Sequence, residues 1–483
     1  MDMKLILEQK EALISGNAEK IAAQHASGKA TARERIEMIL DAGSFVETDT
    51  LLAENSDYAG VVTGYGTVDA RPVYLFAQDF TVHGGAMGAA QAKKINKILD
   101  LAAKTGAPVL CLSDSAGVKV DEGAKAMNAF ASIYAKMAKI SGVCPIINLV
   151  LGPVVGGAAM LSQLADITVQ VKKIGQLMVY GPTVVGSLTG KTLNADAVGG
   201  ADVMSRGGAV ALTANDENEA FALCKKVLSY LPGSNREFAE VIDTDDMNRE
   251  IADQFDSAEA LMTAIADLGQ YIELKASFGK ALHTALCRIG GHAVGLICSD
   301  SENDGMIDAD SAVKAAGFIR FCDSFDLPVI SMIDSKGVKV PDENHQAETI
   351  RGISALLYAY AEATTAKVSV ITGKAIGQSY VAMAGKDIAD MTYAWPDAVI
   401  SALTPEAAVQ VLNAKELREG GNRFQLEAAF MAEKAGVINA ASEGLIDDIC
   451  VPSETRKYII AAIEMLLTKE ENGPDRKHGN TPM

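Results

Sequence analysis

The sequence predicts an α/β protein built from two homologous halves, each a repeated strand–helix layered unit. Three observations predict it. The chain repeats itself: residues 107–120 read APVLCLSDSAGVKV and residues 327–340 read LPVISMIDSKGVKV, an offset of 220. Each run is flanked by amphipathic helical patterns and followed by a second apolar run that ends in glycine, PIINLVLG at 145–152 and AKVSVITG at 366–373. Finally, 49% of the 483 residues are hydrophobic but only 5% are aromatic, and 43 are Gly. That composition suits closely packed helices and sheets rather than an all-β sandwich. A period this long means two domains rather than a solenoid of short repeats.

Taken in order, the stretch to residue 52 reads as helical. Its charges are spread throughout, unlike the apolar core of a signal peptide. A helix is predicted over 89–104, then a buried strand from 107, a helix over 124–140 and a strand at 145–152. Residues 141–165 carry no charge and are long enough to cross a bilayer. Pro145, Asn148, Pro153 and Gln163 interrupt them, so a strand, a turn and a helix start are predicted instead. Residues 215–268, rich in Asp, Glu and Asn, read as connecting helices. The second copy follows with helices over 309–325 and 347–363. The polar residues 469–483 read as a tail laid on the surface. The predicted domains are 1–235, with the helical arm, and 236–483.

The charge balance is 43 − 62 = −19, with no Lys/Arg cluster. This argues against nucleic acid and against an anionic membrane surface. The seven cysteines are odd in number and form no CxxC, which predicts free thiols in the reducing cytoplasm. The six histidines (His25, His83, His283, His292, His345 and His478) have no metal-ligand spacing, so no metal is expected. There is no HExxH, GxSxG or GxxxxGK[ST] motif.

What remains is a glycine-rich strand-to-helix turn in each half: GPVVGGA at 152–158 and GKAIGQS at 373–379. The first amides of a helix have no internal partner, and glycine lets a carbonyl approach them. Such a turn can form an oxyanion hole, and one donor there is worth about 3 kcal/mol. A close-packed turn with no chemistry uses the same residues; occurrence in register, twice, brings the two readings level. Gly156 and Gly157 are the candidates in the first turn, Gly377, Gln378 and Ser379 in the second. In the repeated Asp-Ser-x-Gly-Val-Lys turn, Asp114 and Asp334 are predicted to cap the backbone. Lys119 and Lys339 either meet phosphates or are solvated. Gly84 and Gly85 precede a helix bearing Lys93, Lys94 and Lys97, which either attracts an anionic cofactor or presents a solvated face.

The ordered set of motifs resembles the carboxyltransferase subunits of biotin-dependent acyl-CoA carboxylases and decarboxylases, in the crotonase superfamily. It comprises GKATARERIEMILDAGSFV (28–46), residues 84–103, APVLCLSDSAG, GPVVGGA, RIGGHAVG (288–295), GFIRFCDSFDLPVISMID (317–334), GISALLYAYAEAT (352–364), GKAIGQSYVAM (373–383) and RKHGNTPM (476–483). The resemblance implies two crotonase-like ββα superhelical domains of the ClpP/crotonase type, in a homo-oligomer, dimer or hexamer, with active sites formed between subunits. It implies that Gly156 and Gly157 donate N–H groups to the acyl-CoA thioester carbonyl and stabilise its enolate. Gln378 and Ser379 would serve the biotin ureido oxygen, beside Gly377 and Tyr380. Gly84, Gly85, Ala116, Gly117, Lys119 and Val381 fall on the acyl-CoA side. Biotin would arrive on a separate carrier protein and supply both the CO2 and the nitrogen that takes the α-proton. Partners would be that carrier with a biotin carboxylase, or the membrane subunits of a sodium-pumping decarboxylase; no insertion of this chain into the membrane is implied. Residues 377–381 read GQSYV where the family usually has Gly-Gly-Ala-Tyr-Asp, so Val381 replaces an acid associated with acyl-chain choice. A biotin-independent hydratase or hydrolase, with Glu122 as the nearest carboxylate, and a non-catalytic paralogue are the alternatives.

Overall fold

The computed structural model describes residues 3–54, 57–243, 245–300, 305–471 and 476–482. The chain divides into two compact units, Met1–Glu237 and Phe238–Met483. Each contains an eight-stranded mixed sheet. In unit 1 the hairpin Val61–Val68 and Arg71–Gln78 is antiparallel, and Val109–Ser115, Ile146–Val155 and Ile167–Val171 then add in parallel. In unit 2 the hairpin Leu282–Ile289 and His292–Ser299 is followed by Val329–Ser335, Lys367–Ile376 and Met391–Ala394 in the same senses. Even the local slip in register recurs, between Ser113 and Ser115 and between Ile333 and Ser335. Val109–Ser115 is buried along its whole length, as the apolar run requires.

Parallel strands need crossovers, and the amphipathic helices supply them. Ala89–Thr105 and Ala124–Ile140 pack on one another in unit 1, Ala309–Ser324 and Gln346–Glu362 in unit 2. The uncharged run 141–165 is a strand, a turn and the short helix Gly157–Gln163. Among the described residues no helix is long and apolar enough to cross a membrane. All seven cysteines are free and buried, and burial pushes every thiol up, which denies the chain a thiolate nucleophile.

Three expectations are corrected. The N-terminal helices end at Ile39, and Val46–Thr48 is already a strand paired with Val61–Val68; β-branched Val46 and Thr48 after the Gly43 turn favour pairing over helix. The connection is not helical throughout, because only Glu217–Tyr230 and Ala258–Ile265 are α-helices there. Pro232-Gly233 breaks the first helix, and beyond it the Asp245 and Asp246 side chains accept from the Asp246 and Asn248 backbone N–H groups. Lys94 is buried, not solvated, and donates to the Val61 carbonyl at 2.8 Å; burial pulls its pKa down to about 8. Of the tail, Arg476 binds Glu362 at 2.8 Å, while 472–475 and Met483 lie outside the described residues.

The helical arm of unit 1 is held by a buried ionic cluster. Asp114 is fully buried and accepts from Lys29 Nζ at 3.0 and 3.1 Å and from Arg35 Nη1 at 2.9 Å. Arg35, also fully buried, donates to Leu151 O and pairs with Glu217. Asp334, the counterpart of Asp114, is only half-buried and accepts from the Lys374 N–H at 2.8 Å. Removing one partner of a buried pair strands the others. Asp114→Asn is therefore expected to cost about 3–5 kcal/mol in chemical denaturation. Asp334→Asn loses one charge-assisted bond and should cost about 1–2 kcal/mol. Equal losses would contradict this assignment.

Candidate active site

Both turns are built in the same way. The strand Ile146–Val155 ends at Gly156 (φ 63°, ψ −126°), and Lys367–Ile376 ends at Gly377 (φ 56°, ψ −122°). Positive φ favours glycine at these two positions. Short edge strands then take the turn's first amide: Gly156 N–H donates to Met178 O and Gly377 N–H to Ser401 O, both at 2.9 Å. Gly156 is thus already committed and is not available to a substrate oxygen. The next two N–H groups in each turn, of Gly157 and Ala158 and of Gln378 and Ser379, find no acceptor among the described residues. Ala158 carries no glycine signal in the sequence, because an N–H at the start of a helix does not require one. Gln378 begins a helix without positive φ, so GQSYV keeps the geometry of GGA.

The first turn is fixed from behind. A Cβ on Gly157 would stand 2.8 Å from the Phe130 ring, and Tyr134 OH donates to Gly157 O at 2.7 Å. Phe130 and Tyr134 are stacked, their ring centres 5.9 Å apart. In the second turn Ser379 Oγ donates to Ile376 O at 2.9 Å, and Tyr380 OH donates to Leu445 O at 2.8 Å. Gln378 and Val381 are exposed.

Two loops meet beside each turn. In unit 1, Ala116 N–H donates to Gly84 O, Met87 N–H to Gly117 O and Lys119 N–H to Met87 O. Ser115 Oγ donates to Gly85 O at 2.8 Å and accepts from Gly117 N–H at 3.2 Å. In unit 2, Ser335 Oγ donates to Gly305 O at 2.5 Å and accepts from Gly337 N–H at 3.1 Å. The serine, not the aspartate, therefore caps the Asp-Ser-x-Gly turn; its presence in both copies was the available signal. Gly84, Gly85, Ala116 and Gly117 come together. Gly117 reaches the first Gly turn, its absent Cβ falling 3.1 Å from Val155 O. Lys119 is part-buried and pairs with Glu122 at 3.0 Å. The other Glu122 oxygen accepts from Ala89 N–H at 2.7 Å, so that carboxylate is held structurally.

A cleft of about 620 Å³ opens beside Gly84, with Lys20, Lys29, His83 and Lys173 in its wall. Lys93 and Lys97 face a separate groove with Lys104, Lys125 and Lys136. Among the described residues no group of three or more His, Cys, Asp or Glu could hold a metal ion.

The model of the carboxyl transferase domain family matches residues 23–481. The chain is 36% identical over 504 residues to the propionyl-CoA carboxylase carboxyltransferase subunit of Haloferax mediterranei, covering 99% of this chain and 98% of that one. It is also 36% identical over 507 residues to the methylmalonyl-CoA decarboxylase subunit alpha of Propionigenium modestum, with the same coverage. A crystal structure of transcarboxylase 12S, a hexamer with methylmalonyl-coenzyme A bound, matches with a TM-score of 0.95 at 33% identity over 100% of both chains.

The serine clamps are directly testable. Ser115→Ala and Ser335→Ala each leave a buried N–H and lose a carbonyl partner, at about 1–3 kcal/mol. Hydrogen exchange should accelerate at the Gly117 amide in the first variant and at the Gly337 amide in the second, each without change in the other unit.

Proposed function

The chain belongs to the carboxyl transferase domain family, and from that membership and its paired turns we propose that it is the carboxyltransferase subunit of a biotin-dependent acyl-CoA carboxylase or decarboxylase. The observation that carries the reading is the recurrence of two unpaired N–H groups behind a positive-φ glycine in both units. Two such sites suit a reaction in which two carbonyl oxygens gain negative charge.

Gly157 and Ala158 N–H hold the thioester oxygen and stabilise the enolate that forms on loss of the α-proton or of CO2. Each donor is worth about 3 kcal/mol. Gln378 and Ser379 N–H hold the ureido oxygen of biotin. Their fit rests on Gly377, whose backbone turns the two amides outward, and on Ser379 Oγ, which is satisfied internally and does not compete. Biotin on a separate carrier supplies CO2 and the nitrogen that exchanges the α-proton. No side-chain base is required, in keeping with the structural engagement of both Glu122 oxygens. Gly84, Gly85, Ala116 and Gly117 shape the acyl-CoA side, and Lys20 and Lys173 bring positive charge to the adjacent cleft, where the CoA phosphates lie. Val381 stands at the second turn, where it bears on the choice among short acyl chains.

The chain works as a cytoplasmic homo-oligomer with a biotin carrier protein. The remaining partner is a biotin carboxylase or a set of membrane decarboxylase subunits; equal identity to relatives of both kinds supports either direction.

The test is decarboxylation of malonyl-CoA and methylmalonyl-CoA with free biotin. Biotin-dependent turnover of at least one is expected. Turnover without biotin, or none, would overturn the proposal. Gly157→Val drives a side chain into Phe130 and should lower the rate about 10²–10³-fold while the oligomer persists.

A further inference from the structure

The arm helix of unit 1, Ala32–Ile39, has a counterpart in unit 2, Ala258–Ile265. Both start behind a hydroxyl N-cap, Thr31 and Ser257, and both lead into an aspartate turn, Asp41 and Asp267. The offset here is 267 − 41 = 226. By that offset Phe255 replaces Lys29 and Leu261 replaces Arg35. These are the two cations that neutralise Asp114 in unit 1. In unit 2 the carboxylate is retained as Asp334 and the cations are gone. A cavity of about 640 Å³ lies in their place, lined by Phe255, Leu261 and Asp334.

The rest of the wall matches a cationic guest. Asp253 and Asp397 add two carboxylates, and among the described residues no Lys, Arg or His lines the cavity. Ser299, 3% exposed, also lines it, and its hydroxyl has no hydrogen-bond partner among the described residues. A buried hydroxyl of this kind wants a ligand. Phe255 and Trp395, ring centres 6.4 Å apart, supply the aromatic surface on which a guanidinium or its carbon chain can lie. Among the described residues the carboxylates form no group close enough to hold a metal ion. Their spread suits an elongated molecule instead.

We propose that this cavity of unit 2 binds a small organic cation with a guanidinium head, which Asp334 receives as Asp114 receives Arg35 in unit 1. None of the turn residues Gly377, Gln378 and Ser379 lines the cavity, and the proposal does not rest on the reading of those turns as catalytic.

Calorimetric titration of the intact oligomer with agmatine tests it. Saturable binding at one molecule per chain is expected, weakening as salt rises. Asp334→Asn should weaken it about tenfold or more, as loss of a charged hydrogen-bond partner does. Leu261→Arg puts the missing guanidinium back on the chain and should abolish binding. The double variant Asp253→Asn/Asp397→Asn, at two exposed positions where folding is not at stake, should also weaken it. Absence of saturable binding to the unmodified protein, or equal binding to the unmodified protein, Asp334→Asn and the double variant, would overturn the proposal.

Discussion

The constraint on which both units depend is a carboxylate set near the end of a central strand. Asp114 and Asp334 lie so close to the neighbouring strand that a Cβ on Gly152 would stand 2.0 Å from one and a Cβ on Gly373 2.4 Å from the other. Glycine is therefore obligatory opposite each acid, and the strand can pass over it and run on to the next turn. A charge so placed must be paired or hydrated. In unit 1 the pairing residues come from the arm, so the cluster and the buried Ala32, Ile36 and Ile39 hold the same helix. Arg35 then requires a second acid, and Glu217 carries the tie onward to the helix Glu217–Tyr230. The cluster's net contribution to stability is small by comparison with what breaking it costs; its effect is to fix where the arm sits.

Unit 2 kept the carboxylate and moved the tie. Its counterpart helix is fastened from the other side by Arg456, fully buried on the closing helix Thr455–Leu466. Arg456 donates to Asp267 at 2.8 Å and to the Ile265 carbonyl. Asp267 in turn accepts from Gly290 and Gly291 N–H, which fixes the tip of the hairpin. With Arg456 holding the helix, Phe255 and Leu261 make no ion pair of the kind Lys29 and Arg35 make, and Asp334 faces a cavity.

The strands and helices were legible because the pattern is consistent at every level. Each central strand is an apolar run, each crossover is amphipathic, and each turn carries its glycine. The partners of Asp114 were not legible, because Arg35 is 79 residues away and Lys29 85. Nothing in a local pattern distinguishes an acid that caps its own turn from one that waits for a distant cation. The arms concealed their kinship for a related reason: six extra residues in unit 1, between the arm and the repeated strand, change the offset from 226 to 220. In the first turn the Gly156 N–H is taken by Met178 O, which the local sequence does not show. Whether Gly156 N–H is free depends on Gln176–Met178, a three-residue strand paired with the tail of Ile146–Val155.

Because the proposed donors are backbone groups, their geometry belongs to the strand, the glycine and the carboxylate beneath, not to the side chains alongside. Only Gly377 takes a positive φ in the second turn. Gln378 points to solvent from a helical backbone, and Ser379 is buried with its hydroxyl bonded to the strand it follows. The replacement of a second glycine by glutamine therefore leaves the amides where they were. Val381, 43% exposed one turn further on, is equally uncoupled from them. A fold arranged in this way lets residues that select a substrate drift while the groups that stabilise charge stay fixed, which is how a chain can depart from GGAYD to GQSYV and retain both turns.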